Sequence, residues 1–570
     1  MSINKKLFIY NYSSVAFVLI FTSIFGITLS GYSFEPFVAP ELVPDDRTPV
    51  PLPEFRSAEN DLADSFDKQF IVQGDQMLDF PRTLTKISGR PRQALNADAF
   101  GEVRNSSWFT NRNAFTHMTL AEIAQGPGIY SGPDTSAAWQ IVRAKAEGVT
   151  IGFHIIDSRG DKYVIKFDPI GYAGLNSGAE VVCTKLYYAA GFNVPENTTV
   201  YFRPEILVLG EKVKFTDKKG RKRYMNQQDF EEIMLRVEIS PNGLIQAAAS
   251  KYIEGKLLGP FHFDGVREDD PNDFIPHEHR REVRGLKIIG IWLNNIDAKS
   301  NNSMDTYIGE DGEGFVRHYM MDFGSNLGSG SKGPQPQYRG HENEFDPHEA
   351  LFKIGTLGLW IRSWEKPDSV HFPTVGRFSA DLLEPDKFKF IIPNTAYDNC
   401  TDLDAYWGTK LVMSFTEDQI ETAVAAGPYS AEAGKYLTKV LIERRDVIGK
   451  HWFGRVNPLD NFEISKNQDA TVLNFTDLAV STGLEDKSGS KYHYEIRSID
   501  NQKIESGVLE NNNLSLASIM KLKERGGVQY EITFRIKRES QKKLSKWVKV
   551  YLELDKSSTM PVLVGLKRQE

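Results

Sequence analysis

Residues 294–302, NNIDAKSNN, contain the side-chain types that phosphoryl transfer to a hydroxyl group requires. A carboxylate, an amine and an amide follow one another as Asp297, Lys299 and Asn302. The carboxylate can orient and deprotonate an attacking hydroxyl, the amine can stabilise the transferring group, and the amide oxygen can bind a metal ion. Taken alone, the string has a simpler interpretation as an Asn/Asp-rich turn after a helix.

A further carboxylate, Asp322, lies in RHYMMDFGSNLGSG, residues 317–330. The preceding apolar run, GFVRHYMM, is typical of a strand and would deliver this carboxylate to the same place. Mg²⁺ prefers one or two carboxylates, with waters and phosphates completing its shell. Asn302 and Asp322 are therefore the predicted metal ligands.

An earlier segment supplies a cation and its partner. Tyr-Val-Ile-Lys, residues 163–166, ends a predicted strand, and a phosphate contact would justify burying the charge of Lys166. Glu180 lies on the next predicted helix, where it could pair with Lys166. For either residue alone, a surface lysine or an ordinary helix glutamate is the simpler interpretation.

Taken in order, these signals resemble the protein-kinase-like superfamily, and more its atypical branch of HipA-type and phosphoinositide-kinase-type enzymes. The segment SGAEVVCTKLYYAAGFNVPEN, residues 177–197, is similar to the HipA-type helix and the strand after it. The resemblance covers about residues 139–453. It implies ATP and Mg²⁺ as cofactors, with Lys166 on the ATP phosphates, Glu180 holding Lys166, Asp297 as the catalytic base, and Asn302 and Asp322 on magnesium.

The sequence departs from the kinase pattern at two places. The glycine-rich cover over the phosphates is absent, and KAEGVTIGF, residues 145–153, offers only Gly148 and Gly152 as cofactor-binding candidates, where backbone amides could still cradle phosphate. Asn295 and Ile296 stand where the usual catalytic-loop His and Arg would be. Because Ile296 cannot clamp a phosphorylated loop, we expect no such switch.

The elements that must position these residues follow from hydrophobic periodicity. We expect three antiparallel strands between residues 138 and 168, a helix over about 177–190 ended by Gly191, and a buried helix in EVRGLKIIGIWLNN. Residues 347–453 are predicted to be mainly helical. Residues 466–570 alternate with period two, which predicts an antiparallel sandwich.

The predicted fold class is α+β, with a two-lobed, kinase-like fold of a small β-rich lobe and a larger helical lobe, followed by a C-terminal antiparallel β-sandwich. A ligand cleft is expected at the junction of the lobes. The predicted division is a signal peptide or anchor (1–30), an extended linker (31–69), an N-terminal extension packing on the first lobe (70–138), the N-lobe (139–260), the C-lobe (261–456) and the sandwich (466–570).

Composition limits the function classes. With 570 residues, of which 40% are hydrophobic, the chain can bury several cores, so two or more globular domains are expected. The net charge of −8 argues against nucleic-acid binding through bulk electrostatics. Cys183 and Cys400 are the only cysteines, and we expect no disulfide between them.

The N-terminus is typical of an export signal. Lys5 and Lys6 precede an apolar stretch, residues 15–29, and small residues follow it. An uncleaved membrane anchor is the alternative, because the stretch is short for a span but not impossible. In both cases we expect the bulk of the protein outside the cytoplasm, in the periplasm or the extracellular space, or facing outward from the membrane.

Five further segments have simple interpretations beside functional ones. Two segments are rich in His and acidic residues and could bind a metal, namely RGHENEFDPHE (339–349) and PHEHRRE (276–282). The first is more typical of a helix that starts at Asp346-Pro347, and the second is more typical of a helix N-terminus. DKKGRKR (217–223) is typical of a solvated hairpin turn, and would bind an anionic acceptor only if it faced the cleft. SSWFTNR (106–112) is expected to anchor a tryptophan on the first lobe, and GSNLGSGSKG (324–333) to be a mobile, activation-type segment.

The first functional hypothesis is an exported, atypical phosphotransferase that moves the γ-phosphoryl group of ATP to the hydroxyl of a protein, sugar or lipid. The second is a catalytically silent kinase fold that serves as a scaffold, which the scarcity of ATP outside the cytoplasm favours. A third transfers AMP on the same fold. Retention of all charged catalytic residue types favours the first.

Overall fold

The computed structural model of the protein describes residues 36–58, 67–72, 85, 91–129, 132–145, 151–216, 221–366, 369–467, 470–522, 528–539 and 541–570. The predicted signal or anchor and Gly148 lie outside these ranges. No helix among the described residues is long and apolar enough to cross a membrane.

Residues 139–251 contain a seven-stranded sheet. Its strands are β1 (Trp139–Lys145), β2 (Gly152–Ile156), β3 (Lys162–Phe167), β4 (Asn197–Phe202), β5 (Leu207–Thr216), β6 (Lys222–Tyr224) and β7 (Ile245–Lys251). Their spatial order is β4-β7-β3-β2-β1-β5-β6. The prediction of three antiparallel strands is confirmed, since β2 pairs antiparallel with both β1 and β3. β5 joins the sheet parallel to β1, and β6 follows it as the second strand of a hairpin.

The turn between β2 and β3 shows why this sequence folds back on itself. The carboxylate of Asp157 accepts hydrogen bonds from the backbone N–H groups of Arg159 and Asp161, each at 3.0 Å. Gly160 has a φ of 83°, in the left-handed region that a residue without Cβ adopts at little cost. The turn therefore fixes the register that places Lys166 near the end of β3.

The helix predicted after β3 is present and nearly all of it is buried. It is α2 (Leu175–Ala190), preceded along the chain by the short helix α1 (Leu120–Gln125). The carboxylate of Asp168 accepts backbone N–H groups at the start of α2, which satisfies donors that a helix N-terminus leaves unpaired. Gly191 ends α2 with a φ of 115°, as predicted, and a Cβ there would lie 2.2 Å from the ring of Phe109.

The middle of the chain is built on helices around one large core. Four helices form that core together with α2, namely α4 (Arg281–Leu293), α6 (Asp402–Met413), α7 (Glu417–Ala425) and α8 (Ala431–Arg455). Of the other two, α3 (Gln227–Met234) packs on the core of the seven-stranded sheet, and α5 (Pro347–Gly355) has no buried residue. The predicted buried helix is confirmed as α4. It crosses α6 where Gly285 faces Gly408, and a Cβ on Gly408 would lie 2.8 Å from the carbonyl oxygen of Gly285. The two backbones can approach this closely only because neither position carries a side chain.

The prediction of mainly helical structure over residues 347–453 is confirmed for residues 347–355 and from residue 395 onward, but is wrong for the stretch between them. Among the described residues from 356 to 394, one short 3₁₀ turn, Ser363–Glu365, is the only helical element. Pro373, Pro385 and Pro393 interrupt this stretch, and proline removes a helix donor and restricts the residue before it.

Two smaller strand groups lie in the same part of the chain as these helices. β8 (Lys256–Gly259), β9 (Ser303–Ile308) and β10 (Phe315–Met320) form one sheet, in which β10 is the strand predicted before Asp322. β11 (Ser329–Gly330) and β12 (Gly333–Pro334) form a hairpin. The segment expected to be an activation-type loop is thus folded into this hairpin, and Ser329 donates to the side chain of Asn176 on α2.

The C-terminal strands form two antiparallel sheets around a core of their own, as predicted. One sheet contains β13 (Leu459–Asn467), β14 (Ala470–Asp477) and β17 (Asn513–Ser515). The other contains β15 (Ser490–Ser498), β16 (Lys503–Leu509), β18 (Val528–Arg538), β19 (Val548–Leu554) and β20 (Val562–Arg568). The first strand begins at Leu459, a few residues earlier than expected. The fold class is therefore confirmed as α+β with additional antiparallel sheets at the C-terminus.

The N-terminal segments pack on these parts. Residues 36–58 contain only one isolated bridge, at Val50, yet Phe37 stacks on Tyr551 of the C-terminal sheets. Trp108 stacks on His318, with ring centroids 3.7 Å apart, so it anchors against β10 and its surroundings and not against the seven-stranded sheet. Neither cysteine forms a disulfide.

Candidate active site

Lys166 connects the sheet, helix α2 and the segment after β10. Its Nζ forms an ion pair with Glu180 on α2 and lies 3.1 Å from Oδ1 of Asp322. Burial alone would lower the pKa of Lys166, but the charges of Asp322 and Glu180 outweigh burial and raise it. Lys166 is therefore held as a cation between two carboxylates, as the sequence predicted for Glu180.

Glu180 has partners that the sequence did not indicate. Its side chain is 1% exposed, and its carboxylate accepts hydrogen bonds from the backbone N–H of Gly324 at 3.1 Å and from Nδ2 of Asn197 at 3.0 Å. Asn197 begins β4 and Gly324 lies in the turn after β10, so the carboxylate ties α2 to β4, to that turn and to Lys166. These contacts fix Glu180 in one orientation because all of its partners lie on packed elements.

Asp322 sits in a turn whose shape is held by its neighbours. Its φ is 60°, a left-handed conformation that residues other than glycine adopt only when the surroundings hold it. The N–H of Met321 donates to the carbonyl oxygen of Asn302 at 2.9 Å. Phe323 is fully buried and stacks on Tyr187 of α2, with centroids 4.8 Å apart. Asp322, Phe323 and Gly324 thus lie in a structured turn that is hydrogen-bonded to the 294–302 loop through Met321.

The 294–302 loop begins where α4 ends, at Asn294, which has a φ of 53°. Asp297 lies 3.3 Å from Nζ of Lys299, and Nδ2 of Asn302 donates to Asp297 at both its backbone oxygen (2.7 Å) and its Oδ2 (3.1 Å). Burial raises the pKa of Asp297, and Lys299 and Asn302 reverse that shift only in part. A raised pKa makes this carboxylate a better proton acceptor.

The two departures from the kinase loop pattern have structural roles. Asn295 is buried, and its Nδ2 donates to the hydroxyl of Tyr187 at 3.0 Å. The carbonyl oxygen of Ile296 accepts from the N–H of Ile391 at 2.8 Å. Tyr187 therefore contacts both the catalytic-loop candidate, through Asn295, and the Asp322 turn, through Phe323.

Two oxygen-bearing side chains suit a magnesium ion. Asn302 uses its amide N–H group on Asp297, and no described residue donates a hydrogen bond to its side-chain oxygen. Asp322 offers a carboxylate that is 42% exposed to the cleft. An amide oxygen and a carboxylate are ligands that Mg²⁺ accepts together with phosphate oxygens. Among the described residues there is no cluster of three or more His, Cys, Asp or Glu side chains that could hold a metal by themselves.

Gly152 has a packing reason of its own. It pairs with Lys166 across β2 and β3, and a Cβ there would lie 2.2 Å from the carbonyl oxygen of Ile165. The sheet therefore requires glycine at this position whether or not a phosphate binds. A phosphate contact at Gly152, as at Gly148, stays a prediction.

The predicted side chains meet in one cleft of about 2020 Å³. Lys166, Asp297, Lys299, Asn302 and Asp322 all line it, and Glu180 supports Lys166 from behind. A pocket for one drug-sized ligand typically measures about 300–1,000 Å³. The cleft therefore has room for a nucleotide and for part of a second substrate.

The other candidate segments lie elsewhere or have structural partners. His277 contacts Asp273 at 2.6 Å in a short 3₁₀ turn before α4, and Asp346 caps the N-terminus of α5, as the simpler interpretations predicted. The basic segment at 217–223 differs, because its described end is in β6 and Lys222 and Arg223 line the cleft. The sequence predicted that this segment would bind an anionic acceptor only if it faced the cleft, and Lys222 and Arg223 do line the cleft.

Comparison with known proteins gives structural neighbours only. No family model and no curated protein matches the chain. The chain is similar to the crystal structure of a Helicobacter pylori proinflammatory kinase, CtkA, at 13% identity over 55% of this chain and 99% of that chain, with a TM-score of 0.28. It is also similar to the Golgi casein kinase, at 9% identity over 59% and 75% of the two chains and a TM-score of 0.24. The same kinase with Mn/ADP bound gives 8% identity over 58% and 74%, with a TM-score of 0.23. Likeness at these TM-scores does not assign a function to this chain.

Proposed function

We propose that the protein is a kinase-like phosphotransferase that moves the γ-phosphoryl group of ATP to a hydroxyl acceptor. One observation carries this proposal: Lys166 is paired with both Glu180 and Asp322, and Asp297 and Asn302 line the same cleft. Phosphoryl transfer needs positioning and charge stabilisation more than covalent chemistry, and these side chains supply both.

Lys166 is the proposed contact to the phosphates of ATP. Its charge is secured by Glu180, whose own position is fixed by Gly324 and Asn197. A Lys ammonium donates three hydrogen bonds, so it can contact phosphate oxygens while it keeps its carboxylate partner. Asn302 and Asp322 would hold Mg²⁺, which when bound neutralises charge on the phosphates.

Asp297 is the proposed proton acceptor. The oxygen of the acceptor hydroxyl forms a bond to the γ-phosphorus, the bond from that phosphorus to the β,γ-bridging oxygen breaks, and ADP leaves with the electron pair. The hydroxyl proton passes to Asp297, whose orientation is fixed by Asn302. Lys299, whose Nζ lies 3.3 Å from Asp297, is the proposed cation that stabilises the transferring group.

We further propose that this reaction takes place outside the cytoplasm. The support is the N-terminal sequence, with Lys5 and Lys6 before the apolar residues 15–29. The affiliation with the HipA-type branch rests in the same way on the sequence alone.

Incubation of the purified chain and a cell-envelope extract with Mg²⁺ and ATP labelled at either the γ or the α phosphate tests the proposal. Label in the acceptor from γ-labelled ATP alone is the expected result, and Asp297→Asn should abolish it. Transfer of the α label would indicate AMP transfer instead. No transfer, together with no thermal stabilisation by ATP and Mg²⁺, would indicate a scaffold.

A further inference from the structure

A row of cross-strand neighbours runs over the sheet and lines the cleft on the same face as Lys166. In spatial order it consists of Ser250 (β7), Val164 (β3), His154 (β2), Arg143 (β1), Lys214 (β5) and Tyr224 (β6). Val164 lies two residues before Lys166, and Lys222 lies two residues before Tyr224, so the alternation of strand side chains brings all of them to one face. The β5–β6 hairpin thus extends the roof of the cleft beyond the proposed phosphate site.

The charge of this cleft is opposite to the charge of the whole chain. The protein carries a net charge of −8, yet the described residues that line the cleft include eight cationic side chains and two carboxylates, Asp297 and Asp322. Four of the cations already have carboxylate partners, namely Lys166 with Glu180, Arg223 with Asp229, Lys299 with Asp297 and Arg339 with Glu344. Neutralisation within the protein therefore accounts for only half of the cations.

The other four are Arg143, Lys214, Lys222 and Lys332. Within the described part of the chain, none of these side chains has a carboxylate at ion-pair distance, and all four are exposed. Arg143, Lys214 and Lys222 lie on three consecutive strands, and Lys332 lies on the turn between β11 and β12. ATP with Mg²⁺ leaves a residual charge of about −2, too little to match the cations that line this cleft.

We propose that the acceptor is an acidic polypeptide segment whose carboxylates are held by Arg143, Lys214 and Lys222 while its hydroxyl group reaches Asp297. This inference rests on the proposed phosphotransferase function and names its substrate class. From β3 to β6 the row crosses four strand spacings, or about 19 Å. An extended chain covers that distance with about six residues. The residue that carries the acceptor hydroxyl and the acidic residues that bind the cations therefore fit within one short segment of about six residues.

The arrangement of the cations favours a polypeptide over other anions. A single phosphate or lipid head group is held by donors that converge on one point, whereas these cations are distributed one strand at a time along a cleft. A membrane presents a broad surface that cannot enter such a cleft. An extended peptide can place successive carboxylates along it, in contact with the ring of Tyr224.

Direct binding tests the proposal without catalysis. The probe is a fluorescent synthetic peptide with one central serine flanked by glutamates, compared by anisotropy with the same peptide carrying glutamines. We expect the acidic peptide to bind the full chain at least about tenfold more tightly at low salt, with the advantage lost at high salt, because exposed ion pairs are weak individually and screened by salt. Equal binding of the two peptides would overturn the proposal.

A matched pair of variants locates the site. Arg143→Gln/Lys214→Gln/Lys222→Gln should remove most of the preference for the acidic peptide. Lys435→Gln/Lys439→Gln/Lys450→Gln makes the same change of charge on exposed positions of α8, outside the cleft, and should retain the preference. An equal loss in both variants would show a general charge effect and overturn the proposal. Binding to phosphatidylglycerol vesicles with no binding to the peptide would overturn it too, in favour of a lipid surface.

Transfer assays separate this inference from the function on which it rests. If the chain phosphorylates the acidic peptide, the cleft variant should raise KM about tenfold while kcat changes little, since Asp297 and Lys166 are untouched. Phosphorylation of the glutamine peptide with the same KM would overturn the inference and leave the phosphotransferase function intact. Tight, cleft-dependent peptide binding with no transfer from ATP would overturn the phosphotransferase function and leave the peptide site intact.

Discussion

Lys166 and Asp322 are 156 positions apart in the sequence, and their side chains meet at 3.1 Å. Glu180 also contacts Lys166 and accepts the N–H of Gly324, two residues after Asp322. The strand, the helix and the Asp-Phe-Gly turn therefore share one set of charges. A change at any of these residues should affect both the stability of the fold and the binding of nucleotide.

Lys166→Met should destabilise the protein strongly, because it leaves Glu180 as a buried carboxylate without its cation. Breaking a buried ion pair on one side costs about 3–5 kcal/mol. Lys166→Met/Glu180→Gln should recover part of the loss, since glutamine carries no charge and still accepts from Gly324. The free energy of unfolding in urea measures the effect. Lys251→Met is the control, since its partner Asp161 is 31% exposed, and it should cost less than about 1 kcal/mol. Equal costs for the two methionine variants would contradict the prediction.

Asn197 should prove to be a positioning residue for Glu180. Asn197→Ala removes a hydrogen bond to a buried carboxylate and should cost about 1–3 kcal/mol. Asn197→Asp should be worse at neutral pH, since it places a second carboxylate 3.0 Å from the first, and the gap between the two variants should narrow as acid protonates the pair. Tyr201→Phe, on the same strand and half exposed, should change stability by less than about 0.5 kcal/mol. A larger loss in Asn197→Ala than in Asn197→Asp at neutral pH would contradict this role.

The order of the motifs in the sequence was enough to predict most residues of the site. Residues whose role depends on contacts between distant elements could not be predicted in this way. Five site residues could be predicted because each lies in a short motif within or next to a helix or strand with clear hydrophobic periodicity. These residues are Lys166, Glu180, Asp297, Asn302 and Asp322. Asn197 could not be predicted, because its bond to Glu180 joins two elements with no characteristic spacing.

The row of cations formed by Arg143, Lys214 and Lys222 could not be predicted from the sequence for a different reason. The register of β1 against both neighbours shifts between Ile141 and Arg143. A shift of one residue moves every later side chain to the other face of a sheet. Strict alternation from Trp139 therefore does not predict which face Arg143 occupies.

The close crossing of α4 and α6 should be needed for stability and for catalysis. Gly408→Ala would place a Cβ 2.8 Å from the carbonyl oxygen of Gly285 and 3.0 Å from Ile288, so the helices must separate, at about 1–3 kcal/mol. Because α4 leads into Asp297, kcat should fall as well. Gly434→Ala on α8 is the control, since its Cβ would meet only Val424 at 3.9 Å, and it should stabilise by about 0.5–1 kcal/mol. Thermal unfolding and transfer assays on both variants check the prediction. Unchanged stability and kcat in Gly408→Ala would refute it.

The acid limb of the pH–rate profile should report Asp297. As a proton acceptor, Asp297 must be ionised, so kcat/KM should rise with pH through its pKa, which burial places above the ordinary value of 3.8. Lys299 lowers this pKa, so Lys299→Met should move the inflection to higher pH, in addition to lowering the plateau through loss of the charge near the transferring group. Lys251→Met removes a lysine whose partner is Asp161, and should leave the inflection in place. Because the inflection is read from the shape of the profile and not from its height, a lowered plateau with an unmoved inflection in Lys299→Met would mean that a group other than Asp297 accepts the proton.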